Sequence, residues 1–159
     1  MKIIISCVGK LKEKYWTEAI AEYTKRMKRF SNIEMFEAAE EPCEDNPSEA
    51  MILKVKEKEG KRLLQRVPDN SFCIAMDLRG KQIGSEELAD KISDITIGGK
   101  SVITFLIGGS YGLSKECEDR ADFKLSMSKM TFPHQMARVI LLEQVYRAMK
   151  INANETYHK

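Results

Sequence analysis

Hydrophobic positions along this chain fall into two kinds of run. Short, nearly unbroken ones, Ile3 to Val8, Ile33 to Ala38, Phe72 to Met76, Val102 to Ile107 and Phe123 to Met127, have the length of buried strands. Between them the apolar residues spread out to helical spacing. Tyr15, Ala19, Tyr23 and Met27 recur every fourth position within Tyr15 to Phe30, which predicts one apolar stripe on a charged helix. Ile52, Val55, Leu63 and Leu64 mark a second helix over Met51 to Val67, with Gly60 weakening its middle. Ser85 to Ile97 reads as a third, with Ser85 as N-cap, Glu86 and Glu87 in the first turn and Gly98-Gly99 as its stop. A short helix over Lys115 to Arg120 and a long one from Pro133 to about Lys150 complete the pattern. Strands alternating with helices predict an α/β fold, a mostly parallel sheet flanked by helices, in a single domain over residues 1–159.

The last helix would span roughly 27 Å. Its apolar residues, from Met136 and Ala137 through Leu141, Leu142 and Val145 to Met149, cover more than the stripe that one sheet face buries. A second apolar partner is therefore expected, and a second copy of the same helix across a two-fold axis makes a homodimer the expectation.

Composition narrows the class of protein. The chain has 43% hydrophobic and 31% charged residues and a formal net charge of +2, which argues against coating nucleic acid by charge alone. The charge is unevenly placed. Residues 1–30 hold eight Lys or Arg against three Glu, whereas residues 31–50 hold seven acidic residues and no basic one. The run Lys25-Arg26-Met27-Lys28-Arg29 could meet phosphate, although a solvated helix face is the simpler reading of it. The apolar start is too brief for a signal peptide and is followed by Lys10, Lys12 and Lys14, and no segment approaches a membrane span. Cys7, Cys43, Cys73 and Cys117 form no close pair, so reduced thiols in a cytoplasmic protein and no metal site are expected.

The candidate chemistry lies between Phe105 and His134. After the fourth strand, Gly108-Gly109-Ser110-Tyr111-Gly112 places three glycines in five positions, so backbone must come close to a ligand or to another chain segment. This sequence lacks the spacing of a dinucleotide fingerprint and the Lys-Ser/Thr ending of a phosphate loop. A second loop, Leu125 to His134, offers hydroxyls from Ser126, Ser128 and Thr131 and apolar surface from Met127, Met130 and Phe132, the mixed lining of a pocket for a small, partly apolar ligand. In a parallel sheet such loops meet at the carboxyl ends of the strands.

Several segments together resemble a known family. They are Ile5-Ser6-Cys7-Val8-Gly9-Lys10, Lys58-Glu59-Gly60, Phe105 to Leu113, Leu125 to Met136, Glu143 to Ala148 and the ending Tyr157-His158-Lys159. The chain is similar over nearly its whole length to the RlmH family, small SPOUT-class methyltransferases acting on N3 of a pseudouridine of 23S ribosomal RNA. The resemblance implies a homodimer, a C-terminal trefoil knot, and S-adenosylmethionine held mainly by the main chain of the loops. It implies cofactor contacts from Met76, Gly108, Met127, Ser128, Lys129, Met130, Thr131 and Phe132. For the transfer itself it directs attention to His158 and Tyr157 on the polar tail, with Arg138 on the last helix as a further candidate. Arg138 and Arg147 are expected on the polar side of that helix, where they would meet RNA or a partner subunit. His134, at the helix start, is an alternative proton acceptor. A nucleotide- or RNA-binding module without catalysis, and a methyltransferase for another RNA or a protein, remain alternative readings of the same loops.

Overall fold

The computed structural model describes residues 1–157. Five strands, β1 (Lys2–Val8), β2 (Asn32–Ala38), β3 (Phe72–Gln82), β4 (Val102–Ile107) and β5 (Phe123–Ser126), form one sheet in the order β2-β1-β4-β3-β5, and every neighbouring pair is parallel. The helices are α1 (Lys14–Met27), α2 (Glu49–Leu64), α3 (Ser85–Ile97), α4 (Lys115–Arg120) and α5 (His134–Asn152). Alternation along the strands sorts them into two layers. Ile3, Ile5, Cys7, Ile103, Phe105 and Ile107 face a core shared with α1, α3 and α5, while Val8, Cys73, Ala75 and Leu106 face Leu63 of α2 and Cys117 of α4. Ser6 belongs to the second face and donates its hydroxyl proton to the Leu63 carbonyl at 2.9 Å, which removes the cost of its burial.

The element pattern follows the sequence expectation, with three differences. Ser85 is the first helical residue of α3 and not its cap. Gly84 takes that position, the Glu87 carboxylate accepts from the Gly84 amide at 2.7 Å, and the Ser85 hydroxyl donates to Gln144 on α5. Strand β3 runs past Met76 to Gln82. Both Met76 and Lys81 pair with Leu125 of β5, so the residues between them loop out of register. This detour returns at Gly80, whose ideal Cβ would lie 2.7 Å from the Lys124 carbonyl carbon and 2.8 Å from the Leu125 nitrogen.

The third difference concerns α5. Most of its apolar surface is covered from within the chain, by α1 and α3 as well as by the sheet. Tyr23 and Phe30 meet the Tyr146 ring edge to face, with centroids 6.3 and 6.2 Å apart, and Asn152 donates to the Ala89 carbonyl. Met136, Val139 and Ile140 stay only partly buried within one chain, so α1, α3 and the sheet meet most of the demand that the sequence assigns to a second copy, and not all of it.

From β5 at one edge, the chain crosses the carboxyl ends of β3 and β4 before α5 begins beside β1. Arg138 pins that beginning and is fully buried. Its Nη2 donates to the carbonyls of Val8 at 2.6 Å and Gly9 at 2.8 Å, and its Nη1 pairs with Glu37 of β2 at 3.1 Å. The same Glu37 oxygen accepts from the Leu11 amide. Removing one partner of a buried pair leaves the other uncompensated. Arg138→Ala is expected to lower the unfolding free energy by roughly 3–5 kcal/mol in urea denaturation. A loss below about 1 kcal/mol would mean that water substitutes for the guanidinium.

Candidate active site

Strand order reverses direction in the sheet between β1 and β4, and the glycine loop leaves β4 at that switch point, where parallel sheets hold ligands. Its three glycines answer to three different constraints. A Cβ on Gly108 would sit 2.5 Å from the carbonyl carbon of Gly112, so the loop closes on its own backbone. On Gly109 it would meet the Glu59 carboxylate at 2.8 Å and the Val8 side chain at 3.1 Å. Gly112 has open space but a φ of 85°, the left-handed conformation that disfavours other residues. The Gly112 amide donates back to the Gly109 carbonyl at 3.0 Å and fixes the turn.

The second loop is shaped by its own hydroxyls. Ser126, buried, donates to the Ser128 carbonyl at 3.0 Å, and the Ser128 hydroxyl accepts from the Met130 amide at 3.0 Å. Two of the three expected hydroxyls therefore hold the loop. The third wall is the β3 detour, where Asp77 accepts from the amide, Nε and Nη2 of Arg79, and Arg79 reaches on to Glu118 of α4. The Arg79 contacts hold the Asp77 carboxyl below its usual range, against the raising effect of its burial.

These walls enclose a cavity of about 870 Å³, within the size range of small-molecule sites. Of the residues singled out in the sequence, Met76, Gly108, Met127, Ser128, Met130, Thr131 and Phe132 line it, as does His134. Lys129 is exposed on the same loop and does not line the cavity. Sequence reasoning missed Asp77, Leu78 and Arg79, because an out-of-register detour leaves no periodic trace, and also Lys56 of α2.

It also missed what the glycine loop rests on. Glu59 and Gly60, neighbours on α2, support its two ends. Glu59 is 4% exposed, its Oε1 accepts from the Glu41 amide at 3.0 Å, and its Oε2, against Gly109, accepts no hydrogen bond. Desolvation pushes its carboxyl pKa up. Gly60 is where α2 and α4 touch. Its Cβ would be 2.8 Å from that of Ser114, whose hydroxyl caps α4 by accepting from the Cys117 amide at 3.2 Å. The glycine that weakens α2 in the sequence is a packing requirement.

The remaining candidates lie elsewhere. Arg138 is buried at the β1 turn and does not reach the cavity, which corrects its expected place on the polar side of α5. Arg147 does lie at the partly exposed side of α5, bonded to Glu143. Tyr157 packs on the second half of α5, its ring 5.0 Å from that of Tyr146, beneath the Arg147 guanidinium and with its hydroxyl 3.4 Å from Glu143. His158 lies outside the described residues. Among the cysteines, burial pushes the Cys7 thiol up to about 12 and the Cys73 thiol to about 11, so neither is a ready nucleophile.

Glycine to alanine within a helix ordinarily stabilises by about 1 kcal/mol. Gly60→Ala should do the opposite, because Ser114 must yield and the α4 cap is worth roughly 0.5–2 kcal/mol. A lowered midpoint in thermal unfolding is the expected result, and a raised one would mean that α2 and α4 can separate freely.

Comparison with known proteins now bears on this geometry. A "Ribosomal RNA large subunit methyltransferase H" of Clostridium novyi is 57% identical over 159 residues, covering 100% of both chains. A protein of the same name from Clostridium perfringens is 54% identical, again over 100% of each. In fold, the chain matches a Legionella pneumophila protein solved with the cofactor SAM bound, with a TM-score of 0.50 and 11% identity over 93% of this chain and 66% of that one. The family described as predicted SPOUT methyltransferase matches residues 1–158, and with full-length relatives at this identity the chain belongs to the SPOUT methyltransferase family.

Proposed function

We propose that this protein binds S-adenosylmethionine in the cavity at the strand ends and transfers its methyl group to N3 of a pseudouridine in 23S ribosomal RNA, acting as a homodimer on assembled ribosomes in the cytoplasm. The observation that carries this reading is the full-length identity of 57% to a relative named as a ribosomal RNA large subunit methyltransferase. The cavity fits the cofactor. Glycine backbone at Gly108 suits hydrogen bonding to a base, and Met76, Met127, Met130 and Phe132 supply apolar walls, with Ser128 and Thr131 between them.

When bound, the cofactor supplies a methyl group on a positively charged sulfur. The chain's part is to align the target with that group and exclude water, and orientation alone can contribute roughly 7–11 kcal/mol. The pseudouridine N3 must also give up its proton. His158 is the proposed acceptor, with Tyr157 and Lys159 steadying the base and its phosphate and His134 as the alternative on the cavity wall. In one chain Tyr157 packs along α5, near Glu143 and Tyr146, and is not among the cavity-lining residues. This placement supports a tail that serves the cavity of a second copy. Leu78 and Met130, 55% and 70% exposed at the rim, offer that copy an apolar contact. Arg138 acts as a positioning residue, holding the start of α5.

Thermal unfolding should shift upward with S-adenosylmethionine but not with ATP or NAD. Gly108→Val, which drives a side chain into the Gly112 carbonyl, should abolish that shift and calorimetric binding while circular dichroism stays native; affinity within twofold of the unaltered protein would sink the reading. Light scattering is expected to give about twice the 18.2 kDa chain mass, and a monomer would reject the dimer.

The tail is best tested by a point change. Asn154 to Lys159 cannot be deleted without structural cost, because Glu155 pairs with Arg29 and Lys150 and Tyr157 packs on Tyr146. His158→Ala should lower methyl transfer to ribosomes by on the order of 10²–10⁴ and leave cofactor affinity unchanged. Partial recovery at high pH is expected, as the imide ionises unaided. Full activity would move the acceptor role to His134.

A further inference from the structure

Among the described residues Glu59 is the one buried carboxylate side chain, and it shares with the half-buried Glu13 an oxygen that takes no hydrogen bond. It sits in the interior half of α2, and one of its oxygens is buried against the glycine loop without a hydrogen-bond donor. A buried polar atom left unpartnered is costly, so its presence beneath the glycine loop calls for a physical reason. The carboxyl group spans two loops. Through Oε1 it takes the Glu41 amide and so fixes the β2–α2 connection, and through Oε2 it meets Gly109 at the floor of the cavity. The β2–α2 connection also lies close to the glycine loop, since Cys43 and Asp45 help to hold the Tyr111 phenol above its usual range. Elsewhere on α2, Lys56 reaches the cavity one turn earlier, and Gly60 meets Ser114 beyond the far end of the loop.

We propose that Glu59 is a positioning residue for the cofactor site, its carboxyl group setting the height of Gly108 and Gly109 above α2 and locking them to the Glu41 end of the β2–α2 loop. This inference rests on the reading that the cavity takes S-adenosylmethionine. It assigns Glu59 no contact with reacting atoms. The group works best uncharged, because its surroundings are apolar on one side and acidic on the other. Burial disfavours a negative charge on it most strongly and outweighs the Glu41 amide bond, which favours one; the carboxylates of Glu40 and, more weakly, Glu41 add to the burial effect. Arg62, from α2, favours the charge but is itself engaged by Glu41 and the Ala39 carbonyl, and Lys58 is likewise paired with Glu41. On its loop-facing side the group lies against Gly109. Ionisation would draw water under the loop and lift it.

The direction of the pH effect follows. A carboxyl whose folded pKa is raised contributes stability that is complete below its unfolded pKa and is lost as pH rises through the folded value. Cofactor affinity should fall over the same rise if the loop moves with it.

Three variants test this. Glu59→Gln keeps the shape, the acceptor for Glu41 and no charge; Glu59→Asp withdraws the group by one methylene; Glu59→Ala removes it. With the full chain and S-adenosylmethionine in titration calorimetry, Glu59→Gln should bind within twofold of the unaltered protein at low pH and lose its pH dependence. Glu59→Asp and Glu59→Ala should bind at least tenfold more weakly. Hydrogen exchange without any cofactor should be faster at Gly108 to Gly112 in those two variants and unchanged in β1 and β4. The proposal is overturned if Glu59→Asp binds normally with unchanged exchange in the glycine loop, or if Glu59→Gln is as impaired as Glu59→Asp. If the unaltered protein fails to bind S-adenosylmethionine, the proposed function fails, while the exchange comparison still decides whether Glu59 positions the loop.

Discussion

A guanidinium without solvent contact is held only where acceptors converge on it, and three do so on Arg138: the carbonyls of Val8 and Gly9 and the carboxylate of Glu37. These acceptors belong to the end of β1, the turn after it and β2, whereas Arg138 belongs to the first turns of α5. The bond set therefore ties the last long element of the chain to its first strand. It also decides where the loop from Met127 to Pro133 must run, because β5 is at the opposite edge of the sheet. That loop has to cross the ends of β3 and β4, and crossing there makes it a wall of the cavity.

The opposite wall depends on what is missing. Gly60 lets α4 come against α2, Gly109 lets the loop descend onto Glu59, Gly108 lets it close on Gly112, and Gly80 brings the detour in β3 back to β5. Each position would place a Cβ inside another group. A site assembled in this way presents main chain to its ligand, so recognition does not need a cluster of charged side chains at its centre. Alignment and exclusion of water are what such a site can supply, in keeping with a reaction whose main demand is the meeting of two reactants.

The tail divides the same way between fold and function. Glu155 binds Arg29 and Lys150, and Tyr157 lies on Tyr146 beneath Arg147, so the residues before His158 are anchored on the second half of α5. An anchored tail at the end of α5 remote from the chain's own cavity is consistent with the proposed delivery to a neighbouring copy. The apolar rim at Leu78 and Met130 is where such a neighbour would be met.

Local pattern was enough to locate five strands, five helices and the two loops that bound the cavity, because strand and helix periodicities and the glycine and proline positions act within a few residues. It also marked most of the cavity wall, since Gly108 and the stretch from Met127 to Phe132 are unusual as sequence. What covers an apolar face is a different question. The surface of α5 demands burial, and its residues state that demand without saying whether α1, α3 or a second chain meets it. The same limit hid Arg138, which counts as a polar helix residue until the Val8 and Gly9 carbonyls are brought to it across 130 and 129 positions of chain. It hid Glu59 and Gly60, whose partners at Gly109 and Ser114 come from a different layer, and the detour in β3, which has no period to betray it. Contacts between residues distant in sequence are set by the packing of whole elements, and only the tertiary structure brings them together.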